Sequence, residues 1–257
     1  MPVECSVELM TPKQQSEDIE GDLGKFAAKY DQTLSAGYSV SITDNPMGNL
    51  HFTATEVIKE LGLRIDREKV LIHLNTFHTK EDLDKILTDL IQMGIYQLLA
   101  ISGDGSERLP KLTPESLNEK CQSVTSVELL RYIHRTYPGK FETGVAFNPY
   151  EPQDHEMEKM HRKIAAGATF IITQPILGRN AAVDSLSSLK LPVIIDAWMS
   201  KKLHLLSECV GYTIPENTPY DPIENLKEIR RCYPDYGLYL ALLGFKTQLP
   251  VLPEILK

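Results

Sequence analysis

A chain of 257 residues, 42% hydrophobic and 24% charged, has an ordinary globular composition and enough apolar mass for a full core. Its formal charge of −8 comes with no Lys/Arg-rich block, so no basic surface is expected to pair with a phosphate backbone, and nucleic acid is excluded as a partner. No apolar run reaches the ~18 residues of a membrane span, and MPVECSVELMTPK lacks a leader pattern, so no membrane partner and a cytoplasmic location are expected.

Strand-like runs recur along the chain: CSVEL, YSVSIT, VLIHLN, YQLLAIS, TGVAFN, TFIIT, LPVIID and GLYLALLGF. Amphipathic segments fill the intervals and carry helix starts. Thr53-x-x-Glu56, Thr79-x-x-Asp82 and Thr125-x-x-Glu128 each fit a capping box. After Thr79, residues Leu83, Ile86, Leu87, Leu90 and Ile91 recur at three and four, one stripe that must cover a sheet, and Gly94 stops that helix. Residues 154 to 166 repeat the plan with Met157, Met160 and Ile164 inward, as core filler, before Gly167.

The runs read as continuously apolar rather than alternating, which indicates a parallel sheet covered by helices. Eight of them in about 250 residues predict an α/β fold, a (β/α)8 TIM barrel with residues 1–257 as one domain. The rival, an open doubly wound sheet, wants a G-x-G-x-x-G turn after its first strand, and TPKQQSEDIEG has none. Two stretches strain the barrel. GYTIPENTPYDP at 211–222 is a long Pro-rich loop, and FKTQLPVLPEILK leaves little chain for an eighth helix.

Active sites of such barrels lie at the C-terminal strand ends. The first six strands deliver polar groups there: Glu8; Thr43 with Asp44 and Asn45; His73 and Asn75; Asp104; Asn148; Thr173 with Gln174. Asp44-Asn45-Pro46 and Asn148-Pro149 serve equally well as turn chemistry. Glu8 lies between Val7 and Leu9-Met10, where desolvation raises a carboxyl toward the range of a general acid. His73 is flanked by apolar residues and fits a hydrogen-bonded core histidine as well as a ligand contact. Lys163 reads as a solvated helix-face residue.

His73 and His78 are five apart, and His155 and His161 six apart, so neither pair shares a face and no metal is expected. Cys5, Cys121, Cys209 and Cys232 stand singly, which suits free thiols in a reducing compartment. A Gly-x-Ser-x-Gly elbow is also lacking. A polar-lined mouth without nucleophile or metal is the pattern of a cofactor enzyme.

The strand-end motifs resemble those of the methylenetetrahydrofolate reductases, and the chain resembles a divergent, short member of that family. SVELMTPK is similar to the family's Ser-Phe-Glu-Phe-Phe-Pro-Pro-Lys opening, VSIT to its Val-Ser-Val-Thr and IHLNT to its His-Leu-Thr-Cys strand. LLAISGD is similar to Ala-Leu-Arg-Gly-Asp, GVAFNP to Gly-Val-Ala-x-x-Pro, and KIAAGATFIITQP to Lys-x-x-x-Gly-Ala-x-x-x-x-Thr-Gln. Each motif is short; their order and spacing across residues 3–177 make the likeness specific.

The resemblance implies a flavoprotein oxidoreductase of one-carbon metabolism and methionine biosynthesis. It implies FAD contacts at Thr43, His73, Ser102, Asp104, Ala146, Asn148 and Lys163, with Asp104 and Gln174 on the pterin of a tetrahydrofolate-type substrate. It implies that Glu8 is the catalytic acid. NADH and NADPH both stay open as electron donor, as do a homo-oligomer and an electron-donor subunit as partners. Ser102 stands where the family usually has arginine, Asn148 where it has an aromatic and Pro152 where it has histidine. A noncatalytic pterin- or flavin-binding subunit and a pterin-dependent methyltransferase are the alternatives.

Overall fold

Eight strands follow one another in chain order around a closed barrel: β1 (Cys5–Leu9), β2 (Ser39–Ile42), β3 (Val70–Leu74), β4 (Gln97–Ala100), β5 (Glu142–Phe147), β6 (Phe170–Thr173), β7 (Val193–Ala197) and β8 (Gly237–Leu240). The structure is a computed structural model and describes residues 5–215 and 217–256. Helices follow the strands: α1 (Ile19–Ser35), α2 (Ala54–Leu61), α3 (Lys80–Met93), α4 (Ser126–Thr136), α5 (Gln153–Ala165) and α6 (Ala181–Asp184). Two helices, α7 (Leu203–Val210) and α8 (Pro222–Cys232), separate β7 from β8. After β8 the chain forms three short turns in succession, α9 (Phe245–Gln248), a 3-10 turn (Leu249–Val251) and α10 (Leu252–Ile255), in place of one continuous α-helix.

Helix starts obey local chemistry. Thr53 and Thr125 form complete capping boxes with Glu56 and Glu128. At Thr79 the box is half made. Its hydroxyl accepts from the Asp82 N–H at 3.1 Å, but the Asp82 carboxylate meets the Thr79 hydroxyl instead of the cap's backbone N–H. Aspartate is one methylene shorter than the glutamate that completes the other two boxes. The stripe on α3 buries Leu83, Ile86, Leu87 and Leu90 and leaves Ile91 partly exposed, and Gly94 closes the helix at φ 72°. On α5 the burial differs from expectation. Met160 is buried, Met157 and Ile164 only partly, while Glu156 and Lys163 are buried as well.

Contact density divides the chain into two units, one of Met1–Glu8, Ala146–His161 and Phe170–Lys257, the other of Leu9–Val145 and Arg162–Thr169. In the second unit the register pairs Ser41 with Leu71, Leu71 and His73 with Gln97 and Leu99, and Leu99 with Gly144. Residues paired across parallel strands share a face, and alternate residues take the other. Thr143 marks the helix side, because its hydroxyl bonds His134 of α4 at 2.9 Å. Val40, Ile42, Val70, Ile72, Leu98 and Ala100 lie on that same face; Ser41, Thr43, His73 and Gln97 lie on the interior face.

The first unit alternates likewise. Asp196 pairs with Tyr239, and Tyr239 with Ser6, so Asp196, Tyr239, Ser6 and Glu8 share one face. Val7, Ile195, Leu238 and Leu240 on the other face are buried and apolar, as a helix-covered face requires. β6 (FIIT) and the start of β7 (VII) are the continuously apolar runs expected from the sequence, whereas β1 (CSVEL) and β2 (SVSI) alternate. There small and polar residues alternate with aliphatic ones, but each strand is only four to six residues long, too few for the alternation to stand out.

Candidate active site

In the first unit, three ionisable side chains occupy one interior face. Tyr239 donates its phenolic hydrogen to Glu8 Oε2 at 2.5 Å. Tyr239 and Asp196 are buried, and Glu8 partly so. Burial raises the Glu8 carboxyl, and the Tyr239 hydrogen bond offsets part of that rise. Asp196 is pushed well above the usual carboxylate range by burial and then by the Glu8 charge. Its backbone N–H donates to Thr173 Oγ1 at 3.1 Å, which anchors the strand end, while its Oδ1 has no hydrogen-bond partner among the described residues.

The loops that follow β5 and β6 complete this half. The Asn148 N–H donates to Glu156 Oε1 at 3.0 Å, and Asn148 Oδ1 accepts from the Tyr150 N–H at 3.0 Å, an Asx turn. The Gln174 N–H donates to the Phe147 carbonyl at 2.7 Å, and its side chain is partly exposed at the end of β6. Ala146 is partly buried on β5.

The second unit holds a separate polar network at the ends of β2, β3 and β4. Asp44 Oδ2 accepts from His78 Nε2 at 2.7 Å and from the Asn75 N–H at 2.8 Å. Asn75 Nδ2 returns a bond to the Asp44 carbonyl at 2.7 Å. Burial opposes charge on His78, yet the Asp44 charge and hydrogen bond outweigh it, and the imidazole is raised. At His73 burial outweighs the pull of the Asp44 charge, so the imidazole is pushed down to about 4 and stays neutral at neutral pH. Thr43 is buried beside it in the alternation, and its hydroxyl has no partner among the described residues.

β4 is shorter than the expected run YQLLAIS, which places Ser102 and Asp104 beyond its end. The strand stops at Ala100, and both residues lie in an exposed loop. Ser102 stitches that loop down: its carbonyl accepts from Thr76 Oγ1 at 2.7 Å, and its hydroxyl from the Ser126 N–H at 3.4 Å. Asp104 Oδ2 accepts from the exposed Met47 N–H at 3.2 Å. Gly103 between them adopts φ +78°, and a Cβ there would meet Asn75 Cβ at 2.7 Å. The tight approach of this loop to Asn75 is what only glycine permits.

Lys163 is a second correction, since it is buried on α5 rather than solvated. Sequence reasoning missed Asp196 and Tyr239. An aspartate closing the apolar run VIID is the same signal that drew attention to Asp104, but Tyr239 announced itself only through alternation within GLYL. The Asp44–His78 pair was visible as separate residues and not as a pair, because 34 positions separate them.

The profile of the methylenetetrahydrofolate reductase family matches residues 2–183. Among solved structures, a dihydropteroate synthase of Yersinia pestis in a sulfonamide complex is 14% identical with a TM-score of 0.53, the match covering 98% of this chain and 92% of that one. The 7,8-dihydropteroate synthase of Vibrio fischeri ES114 is 11% identical with a TM-score of 0.53 over 98% and 91%. A 2,3-dimethylmalate lyase is 10% identical at 0.52 over 97% and 79%. These three likenesses show the barrel fold alone.

Proposed function

The chain belongs to the methylenetetrahydrofolate reductase family, and from that premise we propose that it reduces the methylene group of 5,10-methylenetetrahydrofolate, or of a related pterin carrier, to methyl in a flavin-dependent reaction. The observation that carries this reading is Glu8. It is an interior strand-end carboxyl raised by burial and oriented by Tyr239, in the position that matches the family's catalytic acid.

Residues at the strand ends of the second unit fit contacts to a flavin. The buried Thr43 hydroxyl, without a partner among the described residues, is a donor for such a contact, and neutral His73 shares its face. Ser102, Asp104, Ala146, Asn148 and Lys163 are the further contacts the family pattern assigns. FAD, when bound and reduced, supplies the hydride.

The chain's own residues prepare the carbon that receives it. Burial favours the protonated form of Glu8, and that acid delivers its proton to a nitrogen of the methylene bridge. The bridge C–N bond then breaks with its electron pair on the protonated nitrogen, leaving a cationic iminium on the other. Tyr239 fixes the carboxyl rotamer, so the acid meets one nitrogen in one geometry. Gln174 offers both donor and acceptor to the pterin, and Asp104 an acceptor for its amino and ring N–H groups. The domain reading of residues 1–257 as one unit of function goes with this proposal.

The decisive experiment is the absorption spectrum of purified protein before and after anaerobic NADH or NADPH, followed by turnover of methylenetetrahydrofolate. Flavin absorbance, bleaching by one nucleotide and formation of methyltetrahydrofolate support the reading. Protein that neither holds nor gains flavin and does not turn over the folate overturns it. The exposed Ser102, in place of the usual arginine, favours a noncatalytic pterin- or flavin-binding subunit as the second reading. Under that reading Glu8→Gln changes nothing measurable.

A further inference from the structure

Asp196 stands outside the residues that the reductase reading uses, and its position is costly. Two carboxyl groups, Glu8 and Asp196, lie on one interior face with Tyr239, and neither forms an ion pair among the described residues. Glu8 has its hydrogen bond from Tyr239. Asp196 Oδ1 has none, although the residue is only 8% exposed. A buried carboxyl oxygen left unmatched destabilises the fold that carries it.

Two residues further on, Trp198 presents the complementary case. It is 5% exposed, and its Nε1–H is also without a partner among the described residues. Its ring is held in an apolar cluster with Leu203, Leu206, Val210 and Ile214, and its carbonyl accepts from the Tyr220 hydroxyl. The segment is thus anchored on its backbone and its apolar surface while one acceptor and one donor remain unused. Among the described residues neither packing nor hydrogen bonding accounts for these two polar atoms.

We propose that the end of β7 is a ligand-recognition element, in which Asp196 Oδ1 accepts an N–H of the bound molecule and Trp198 Nε1–H donates to an acceptor of it. The ligand class is a heterocycle whose edge carries an N–H donor beside an acceptor, as a reduced pterin ring does. This inference rests on the proposed reading of the site as a folate site and adds two residues to it, neither of which lies in the stretch 2–183 that carries the family match. A specificity role follows: a molecule lacking either group leaves a buried polar atom unpaired and is rejected.

The test uses the full chain with two substitutions, Asp196→Val and Trp198→Phe. Asp196→Val keeps a branched side chain of similar size without the carboxyl, and Trp198→Phe removes the N–H together with part of the ring. Binding of 5-methyltetrahydrofolate is measured by calorimetry, and thermal unfolding without ligand alongside it. For Asp196→Val, folate binding weakens at least ~10-fold, while the ligand-free Tm rises by about 2–4 °C, because an unmatched buried carboxyl is gone. For Trp198→Phe, binding weakens at least as much, while the Tm falls modestly because part of a buried ring is lost.

A purely structural role predicts the opposite Tm change for Asp196→Val, and a lower Tm overturns the inference whatever the ligand. Wild-type affinity in both variants, with wild-type protein binding the folate, also overturns it. Wild-type protein that binds no folate overturns the reductase reading instead. In that outcome the Tm comparison alone decides whether Asp196 is held at a cost for a ligand of another kind.

Discussion

The Tyr239 hydroxyl donates to the Glu8 carboxylate across a sequence separation of 231 residues, joining the last strand to the first. Parallel register explains the meeting. Tyr239 pairs with Ser6, and Glu8, two residues on, shares the face of Ser6. Barrel closure therefore sets the environment of the proposed acid.

Removing that bond should change a pH profile in a defined direction. The hydrogen bond lowers a carboxyl that burial raises, so Tyr239→Phe lets the Glu8 pKa rise further. The alkaline limb of kcat/KM, where the acid loses its proton, moves to higher pH. At the optimum the rate falls about tenfold, because the carboxyl loses its orienting donor. A limb that stays in place would remove Tyr239 from the acid's environment.

Glu8→Gln keeps the shape of the side chain and removes its proton. Turnover of methylenetetrahydrofolate should drop by about 10²–10⁴-fold, while calorimetric affinity for methyltetrahydrofolate stays within a few-fold of wild type. Equal losses in binding and turnover would make Glu8 a binding residue and not an acid.

The two histidines of the second unit should pull stability in opposite directions with pH. His78 is raised in the folded state, so its contribution is complete below the unfolded value near 6.5 and is lost as pH rises through the folded value. His73 is lowered to about 4, so its contribution is complete above 6.5 and is lost as pH falls toward 4. His78→Ala leaves Asp44 buried without its cation and should cost about 3 kcal/mol near pH 6. Urea unfolding of wild type and variant across pH 4 to 8 reads both effects; a variant curve parallel to wild type above pH 6 counts against the pair.

Gly103→Ala probes the loop that carries Ser102 and Asp104. The left-handed backbone costs an alanine about 1–2 kcal/mol, and the new methyl meets Asn75 at 2.7 Å. Asn75 holds Asp44 by two hydrogen bonds, so the strain reaches the Asp44–His78 pair. A Tm drop accompanied by a shifted His78 resonance in NMR titration is expected. A Tm drop with His78 unchanged would separate the loop from the pair.

Elements whose cause is local were legible in the residues. Thr53 and Glu56 are three positions apart, so their capping box forms wherever the helix begins, and the stripe on α3 must bury one side. Strand number and order led to the barrel because each βα unit is a local pattern repeated. Lys163 was misjudged because helical periodicity names a face without saying what covers it. The end of β4 was misplaced because an apolar run does not show where its ladder stops, here at Ala100, four residues before Asp104.

The sequence by itself determined the alternation of strands and helices, the caps and the carboxylate in the first strand, since each depends on neighbours within a few residues. Tertiary structure alone decided which polar groups meet. Glu8 with Tyr239, Asp196 beside Tyr239, and Asp44 with His78 are products of strand register and closure. Register is set by the summed packing of whole strands, and no single stretch of sequence records it.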